Sequence, residues 1–364
     1  TEEGIWISFD GGAHWQAFRN NLPPVSVHDI RLQAREDDLV IATHGRSVYI
    51  MDDVRPLQEL QRAIGQKTWL FTPRTSYEWT LHQNDEGTYT NYAADNPPNG
   101  VVMTFYQSDP QKGSPKLEIL DAHGRVIRTV SGTHKVNDED EPYIANKVGL
   151  NRYTWDFNVN GPVRWNAGND FSKGPETGPG VVPGDYAVRM TLAGRTYLQR
   201  FRVAPDPRSK FTQADYQRTF NMAMRVMAHL STVDTMLNNI DDVKKALDNA
   251  VAAATKANNV PLLAKLKDAQ TARQTLFDSL AVNIRGEGTM DEGRLHEDLL
   301  GAFGAAQGLI TPAVADAVAR VEVAYRAGVG RYNAFVTGVL PGVSASLRQA
   351  GMKELPPMKT VSAL

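Results

Sequence analysis

The sequence predicts a multidomain protein in which β-structure comes first and α-helices follow. Short β-rich runs separated by turn residues fill residues 1–57. Roughly six further strands are predicted between residues 68 and 208, and several of them alternate apolar and polar side chains. From residue 211 to residue 351 the apolar side chains instead recur every three or four positions, as they do on one face of a helix.

The composition is that of a chain that can bury several cores. Its 364 residues are 41% hydrophobic and 22% charged, which is enough for two or three domains. The 39 basic and 41 acidic residues nearly cancel, so no broad attraction for nucleic acid or an anionic membrane is expected. No apolar run approaches the roughly 18 residues of a membrane span. The absence of cysteine excludes disulfides, thiol nucleophiles and Cys-ligated metal sites.

The most specific motif lies at the first turn. Ser8, Asp10, Gly12 and Trp15 fit the pattern S-x-D-x-G-x-x-W. In such a turn the Asp can accept bonds from backbone N–H groups, the Gly tolerates unusual φ, and the Trp fills the space behind the turn. The motif resembles the Asp-box (BNR) repeats of sialidases, xyloglucan-degrading hydrolases and sortilin-type receptors. The resemblance implies a structural role for these four residues, between the last two strands of one β-propeller blade.

The three strand-like runs from residue 27 onward are expected to begin the next blade. A propeller needs about four to eight blades to close its ring. One Asp box therefore implies that residues 1–57 are the last blade or blades of a truncated propeller, whose other blades lie upstream in the same protein. Residues 58–67 are then a linker to the next domain.

A basic pair, His44 and Arg46, flanks Gly45 at a turn between two of these runs. The surrounding segment A-T-H-G-R-S resembles one found in many Asp-box propellers. The two side chains could bind an anionic or sugar ligand through charge-assisted hydrogen bonds. They could also tie loops to a neighbouring blade, which is the interpretation that we favour.

Residues 68–208 are predicted to form a β-sandwich, because short strands recur with turn signals between them. Residues 149–156 read G-x-N-x-x-x-W-D and residues 183–190 read P-G-x-Y-x-V-x-M. Both segments resemble Ig-like domains similar to that of the flagellar hook-capping protein, which implies that Trp155 fills the centre of the sandwich. Residues 61–208 also resemble the region that follows the propeller in large bacterial Asp-box proteins grouped with sortilin.

Two loops of this region are candidate ligand sites. Residues 158–182 are rich in Gly, Pro and Asn and are expected to form a surface loop. Trp165 in this loop could stack on a sugar ring, or fold back onto its own domain, which we favour. The acidic run 137–141 could offer oxygen ligands to calcium, but it lacks the spacing of a known calcium loop, so a solvated turn is favoured. No metal site is predicted.

The C-terminal part is predicted to be an antiparallel bundle of three or four helices over residues 211–351, with a tail at 352–364. Thr212 caps the first helix, and Pro261 lies near the start of the second. Thr289 with Glu292 forms a capping box for a third helix. Thr311 and Pro312 open a fourth helix, which Pro341 should break.

No cofactor is predicted for the bundle. His229 and His296 are its only histidines, and it lacks the paired Glu-x-x-His motifs of a di-iron site. Its methionine cluster is read as core or interface filler. The outer face of the bundle could dock a partner, but apolar stripes that pack against each other are the simpler interpretation.

Catalytic motifs are absent from the sequence, which has no G-x-S-x-G elbow, no P-loop and no H-E-x-x-H. Asp52 and Asp53 would be a poor carboxylate pair, because adjacent strand residues point to opposite faces. No catalytic residue is therefore assigned in this chain.

Two functions are consistent with these observations. The first is a non-catalytic binding and scaffolding C-terminal region of a secreted or periplasmic bacterial Asp-box propeller protein, which recognises peptide or glycan. The alternative is the accessory C-terminal region of a glycoside hydrolase, sialidase-like or xyloglucanase-like, whose active site lies in the upstream propeller. Carboxylates facing the funnel of that propeller would favour the hydrolase.

Overall fold

A computed structural model of the chain describes residues 1–80, 96–109, 113–131, 144–168, 174–281 and 294–363. The chain is a mixed β and α protein with a helical C-terminal region, as predicted. It divides into two compact units. The β unit consists of residues 1–157 and 183–210, and the helical unit consists of residues 158–182 and 211–364.

These units differ from the predicted domains in two segments. Residues 158–182, expected to be a surface loop of the sandwich, belong to the helical unit instead. Residues 1–57, expected to be a separate domain, share the β unit with the strands that follow them.

The β unit begins with a hairpin and a small sheet. Strand β1 (Ile5–Ile7) pairs antiparallel with β2 (Gln16–Phe18). A three-stranded antiparallel sheet follows, with β3 (Val27–Gln33), β4 (Asp38–Thr43) and β5 (Val48–Met51) in that order. Two short helices, α1 (Arg55–Gln58) and α2 (Leu60–Ile64), lie in and around the predicted linker.

The remaining strands are, in chain order, β6 (Thr68–Leu70), β7 (Ser76–Glu78), β8 (Val101–Gln107), β9 (Lys116–Leu120), β10 (Val126–Ser131), β11 (Gly149–Trp155), β12 (Asn158–Asn160), β13 (Thr177–Gly180), β14 (Gly184–Leu192) and β15 (Arg195–Pro205). The hairpin β12–β13 belongs to the helical unit. The others form a five-stranded sheet, β10-β9-β14-β15-β7, and a three-stranded sheet, β11-β8-β6.

The two sheets of the β unit share one core around Trp155. This side chain is fully buried at the end of β11. Its ring centroid lies 6.0 Å from that of Tyr186 on β14 and 5.9 Å from that of Phe201 on β15. Alternation explains why these residues meet, since every second side chain of a strand faces the same side.

The helical unit contains α3 (Gln213–Lys256), α4 (Val260–Asp278), α5 (Leu295–Ala305), α6 (Pro312–Gly338) and α7 (Leu340–Gln349). The predicted cap of α3 is confirmed, because Thr212 Oγ1 accepts from Asp215 N and the Asp215 carboxylate accepts from Thr212 N. Pro341 lies in the first turn of α7 and separates it from α6, as expected. The predicted capping box at Thr289 and the acidic run 137–141 lie outside the described residues.

The segment 158–182 is held against α3 by polar contacts. Asn238 donates through Nδ2 to the carbonyl of Arg164 at 2.9 Å and accepts from Asn166 N at 2.8 Å. A Cβ on Gly178 would lie 2.7 Å from the backbone oxygen of Asn160, so only glycine lets β13 lie this close to β12. Among the helices in the described part of the chain, none is long and apolar enough to cross a membrane.

Candidate functional site

The Asp-box residues close the turn between β1 and β2 with their side chains. Ser8 Oγ donates to Asp10 Oδ1 at 2.9 Å and accepts from Gly12 N at 2.8 Å. Asp10 Oδ1 also accepts from His14 N at 2.9 Å, and these bonds from His14 and Ser8 lower the pKa of Asp10. Gly12 has φ +97°, a backbone conformation that glycine adopts without the steric cost that other residues would have.

Trp15 has a different environment from the one predicted. Its indole N–H donates to the Gly12 carbonyl at 3.0 Å, so it does brace the turn. Its side chain is nevertheless 62% exposed and does not fill a buried space. Together with Trp6 and Ile30 it lines an apolar hollow of about 470 Å³ within the β unit.

His44 and Arg46 lie at the β4–β5 turn and are exposed. The His44 ring stacks on that of His28, with the centroids 5.0 Å apart, and the Arg46 guanidinium donates to the carbonyl of Gly45. His28 was not predicted to be part of this group. In the described ranges, no set of three His, Asp or Glu side chains could hold a metal ion.

Of the adjacent pair Asp52 and Asp53, the second has a structural partner. Asp53 is 7% exposed and binds Arg55 through both oxygens, at 2.8 and 2.9 Å. Burial and the nearby Asp38 raise the pKa of Asp52.

Trp165 is buried, as the favoured alternative expected, but it is buried in the helical unit and not in the predicted sandwich. Its side chain is 2% exposed, and its indole N–H donates to Asp241 Oδ2 at 2.7 Å. Its ring lies 5.7 Å from that of Phe277 and 5.8 Å from that of His296. The indole is therefore covered by protein, which leaves no open face for a sugar ring. It packs on the helices and not on the predicted sandwich.

Sequence reasoning missed a buried acid–base pair in the same place. His296 Nε2 on α5 lies 2.8 Å from Asp234 Oδ1 on α3, and both side chains are fully buried. Glu297 Oε1 lies 3.5 Å from the other ring nitrogen. The one signal in the sequence is that Asp234 continues the helical spacing of the apolar residues Leu230 and Leu237.

The electrostatics of this pair favour retention of a proton. Burial acts to lower the pKa of His296, but the bonds to Asp234 and Glu297 outweigh it and raise the pKa to about 9. Burial also raises the pKa of Asp234, against the influence of His296. The raised pKa of His296 favours a protonated imidazole beside Asp234 at neutral pH. Because both groups are sealed from solvent, the pair can tie α3 to α5 but cannot reach a substrate.

The β3–β4–β5 sheet exposes aliphatic side chains on both of its faces. The register places Ile30 and Leu32 opposite Ile41 and Leu39, which puts these four on one face. Val48 and Ile50 pair with Ala42 and Val40 on the other face. The exposed fractions are 46% for Ile30, 51% for Leu32, 55% for Val48 and 63% for Ile50. We call the sheet β3–β4–β5 the two-faced sheet.

A half-buried carboxyl in the β unit gives a pH-dependent prediction. Burial raises the pKa of Glu78 on β7 from its ordinary value of 4.5 to about 8. Because the folded-state pKa is raised, this group stabilises the protein most below pH 4.5, and its contribution is lost as the pH rises through 8. The Glu78→Gln variant removes the ionisation, so we expect a free energy of unfolding about 2 kcal/mol higher than wild type at pH 8.

The measurement is urea unfolding of both proteins at pH 5 and pH 8. The gain in free energy of unfolding of Glu78→Gln over wild type should be smaller at pH 5, where the wild-type carboxyl is mostly protonated. A Glu176→Gln variant, whose native side chain is 57% exposed, is the matched control and should show no such gain. An equal effect of Glu78→Gln at both values of pH would contradict the assignment.

Comparison with known proteins assigns no family to this chain. It matches no protein-family model, and no curated protein is significantly similar to it. The family suggested by the motifs therefore enters below as a proposal.

Proposed function

We propose that this chain is a non-catalytic binding and scaffolding region at the C-terminal end of a secreted or periplasmic Asp-box β-propeller protein that recognises peptide or glycan. The two-faced sheet is the observation that carries the proposal. A sheet that covers one core exposes a polar opposite face. A propeller blade instead packs against a neighbouring blade on each side, so it is apolar on both faces.

The Asp-box turn supports the same interpretation. Its hydrogen bonds from Gly12 and His14 to Ser8 and Asp10 hold a tight hairpin without a buried core beneath it. A turn that is stable by itself suits the outer end of a blade. The apolar hollow between Trp6, Trp15 and Ile30 is consistent with the hairpin lying beside one face of the two-faced sheet, as the preceding blade would.

The rest of the β unit is compatible with an Ig-like sandwich. Trp155 comes from the three-stranded sheet and packs on aromatic rings of the five-stranded sheet, as the resemblance to Ig-like domains implies.

Several carboxylates of the chain are engaged in ion pairs within it. Asp53 binds Arg55, Asp206 binds Arg208 at 2.6 Å, and Asp234 pairs with His296. Such pairs support a scaffolding role.

Single-cysteine labelling tests the proposal, because the native chain has no cysteine. Leu32→Cys and Ile50→Cys place one thiol on each face of the two-faced sheet. In this chain alone, both thiols should react quickly with a maleimide. In the longer protein that includes the preceding blades, both should react at least about tenfold more slowly, because access controls thiol reactivity.

Val323→Cys is the matched control, since the native side chain on α6 is 65% exposed. Its labelling rate should be the same in the two proteins. If Leu32→Cys and Ile50→Cys react as fast in the longer protein as in this chain, the two-faced sheet is not an inner blade and the proposal fails.

A further inference from the structure

The helical unit contains a pocket that the propeller proposal does not use. Its volume is about 360 Å³, which falls near the lower end of the usual range for small-molecule sites, about 300–1,000 Å³. The pocket lies between α3 and α4 and the residue that precedes α5. Its ionic lining residues are Asp241, Lys244, Arg273, Asp278 and Arg294.

Arg273 on α4 is the central group of this pocket. The residue is only 6% exposed, yet it contributes to the pocket wall. Its guanidinium donates to the side-chain oxygen of Gln274 and lies over the ring of Phe277, with Cζ 5.7 Å from the ring centroid. The carboxylates of Asp241, Asp248 and Asp278 act on its charge through space. A buried guanidinium with five N–H donors thus has one neutral acceptor.

The two carboxylates of the pocket are engaged elsewhere. Asp241 Oδ2 accepts from the Trp165 indole, and Asp278 Oδ1 accepts from Gln274 Nε2 at 2.6 Å. Lys244 pairs at 2.8 Å with Asp248, which is not in the lining. Three cationic and two carboxylate side chains give the lining one net positive charge.

Burial of Arg273 disfavours its charged form. Burial lowers the pKa of Arg273, and the charges of Asp241, Asp248 and Asp278 offset this only in part. Arg nevertheless stays protonated at any physiological pH. A buried cation that is only partly compensated destabilises a fold, and an anion that enters the pocket would relieve this.

We propose that this pocket binds a small monocarboxylate ligand with an apolar body, in which the carboxylate pairs with Arg273 and the body lies against Phe277 and Ala281. One net positive charge matches one carboxylate better than a doubly charged phosphate. The planar guanidinium also presents paired N–H donors that fit both oxygens of a carboxylate. This inference concerns the helical unit alone and does not depend on the propeller proposal.

Benzoate is a suitable probe, with benzamide as its neutral counterpart of the same shape. Titration followed by two-dimensional NMR should shift the amide signals of residues 273–281. The expected dissociation constant for benzoate is about 1 mM, as is usual for a fragment of this size. Benzamide should bind at least about tenfold more weakly, because it cannot form the charge-assisted pair with Arg273.

Three variants distinguish a specific pair between benzoate and Arg273 from a general attraction to positive charge. Arg273→Met should weaken benzoate binding about tenfold or more, and Lys244→Met about threefold, since Lys244 contributes charge at the rim. Arg320→Met removes an exposed cation on α6 and is the matched control, so it should bind benzoate as the wild type does. If Arg273→Met does not fold, benzoate binding by Lys244→Met and the comparison of benzoate with benzamide still test the proposal.

Three results would overturn the proposal. The first is equal binding of benzoate and benzamide, and the second is benzoate binding that Arg273→Met, if folded, leaves unchanged. The third is inorganic phosphate shifting the same signals at lower concentration than benzoate, which would make this a phosphate site.

Discussion

Replacing Asp234 with alanine is expected to destabilise the helical unit by about 3–5 kcal/mol, because it leaves the buried His296 without its carboxylate partner. The ion pair joins α3 to α5 at 2.8 Å, and neither side chain reaches solvent. Trp165 packs against the same imidazole, so the segment 158–168 should loosen with it. Urea unfolding followed by far-ultraviolet circular dichroism measures this loss, since the helices dominate that signal.

The pH dependence identifies the source of the effect. The folded-state pKa of His296 is raised to about 9, above the ordinary value of 6.5. Its stabilising contribution is therefore complete below pH 6.5 and is lost as the pH rises through 9. The Asp234→Asn variant keeps the shape but removes the charge, so its stability should change much less over this window. If Asp234→Asn loses stability from pH 6.5 to 9 as steeply as wild type, the pair is not the cause.

Replacing Trp155 with alanine is expected to cost the β unit about 3–5 kcal/mol, which is typical of deleting a fully buried aromatic side chain. The ring lies between the two sheets and contacts Tyr186 and Phe201. Its removal should therefore speed amide hydrogen exchange in β8 and β14 together, because the two sheets share this contact. Exchange followed by mass spectrometry reads both strands in one experiment.

Leu150→Ala is the matched control for Trp155→Ala. Leu150 lies on the same strand, and its side chain is 42% exposed. Its removal should change the free energy of unfolding by less than about 1 kcal/mol. Equal effects of the two substitutions, or faster exchange confined to β8, would show that Trp155 does not join the sheets.

The local elements could be predicted because their signals are local. Ala193 and Gly194 form the tight turn between β14 and β15, and both residues have positive φ there. Thr212 and Thr311 were predicted to begin helices, and both cap the first turn through Oγ1. Each of these features depends on residues within four positions of one another, which a sequence pattern can report.

The partners of buried polar groups could not be predicted in this way. Trp165 meets Asp241, which lies 76 residues further along the chain. Asp234 and His296 come from different helices. Periodicity shows which side of an element is buried, but not what covers it, so the sequence could favour a folded-back Trp165 but could not predict that it packs on the helices. The unusual feature in the sequence was an Asp on an apolar stripe, which marks a buried polar contact without naming its partner.

The candidate pocket illustrates the same limit. Arg273 falls within the predicted second helix, but nothing in its immediate sequence distinguishes it from a solvent-exposed arginine. Its significance comes from burial and from neighbours contributed by α3 and by the residue that precedes α5. By contrast, the apolar residues of the two-faced sheet are visible in the sequence, where β4 and β5 carry apolar side chains at successive positions and β3 alternates apolar and polar ones.

The most direct test of the central claim is a structure of the longer protein that we propose, with further blades upstream of residue 1. The account predicts that Leu32 and Ile50 are each buried, with side chains of two different neighbouring blades within about 4 Å. A structure in which either face of the two-faced sheet remains open to solvent would contradict it.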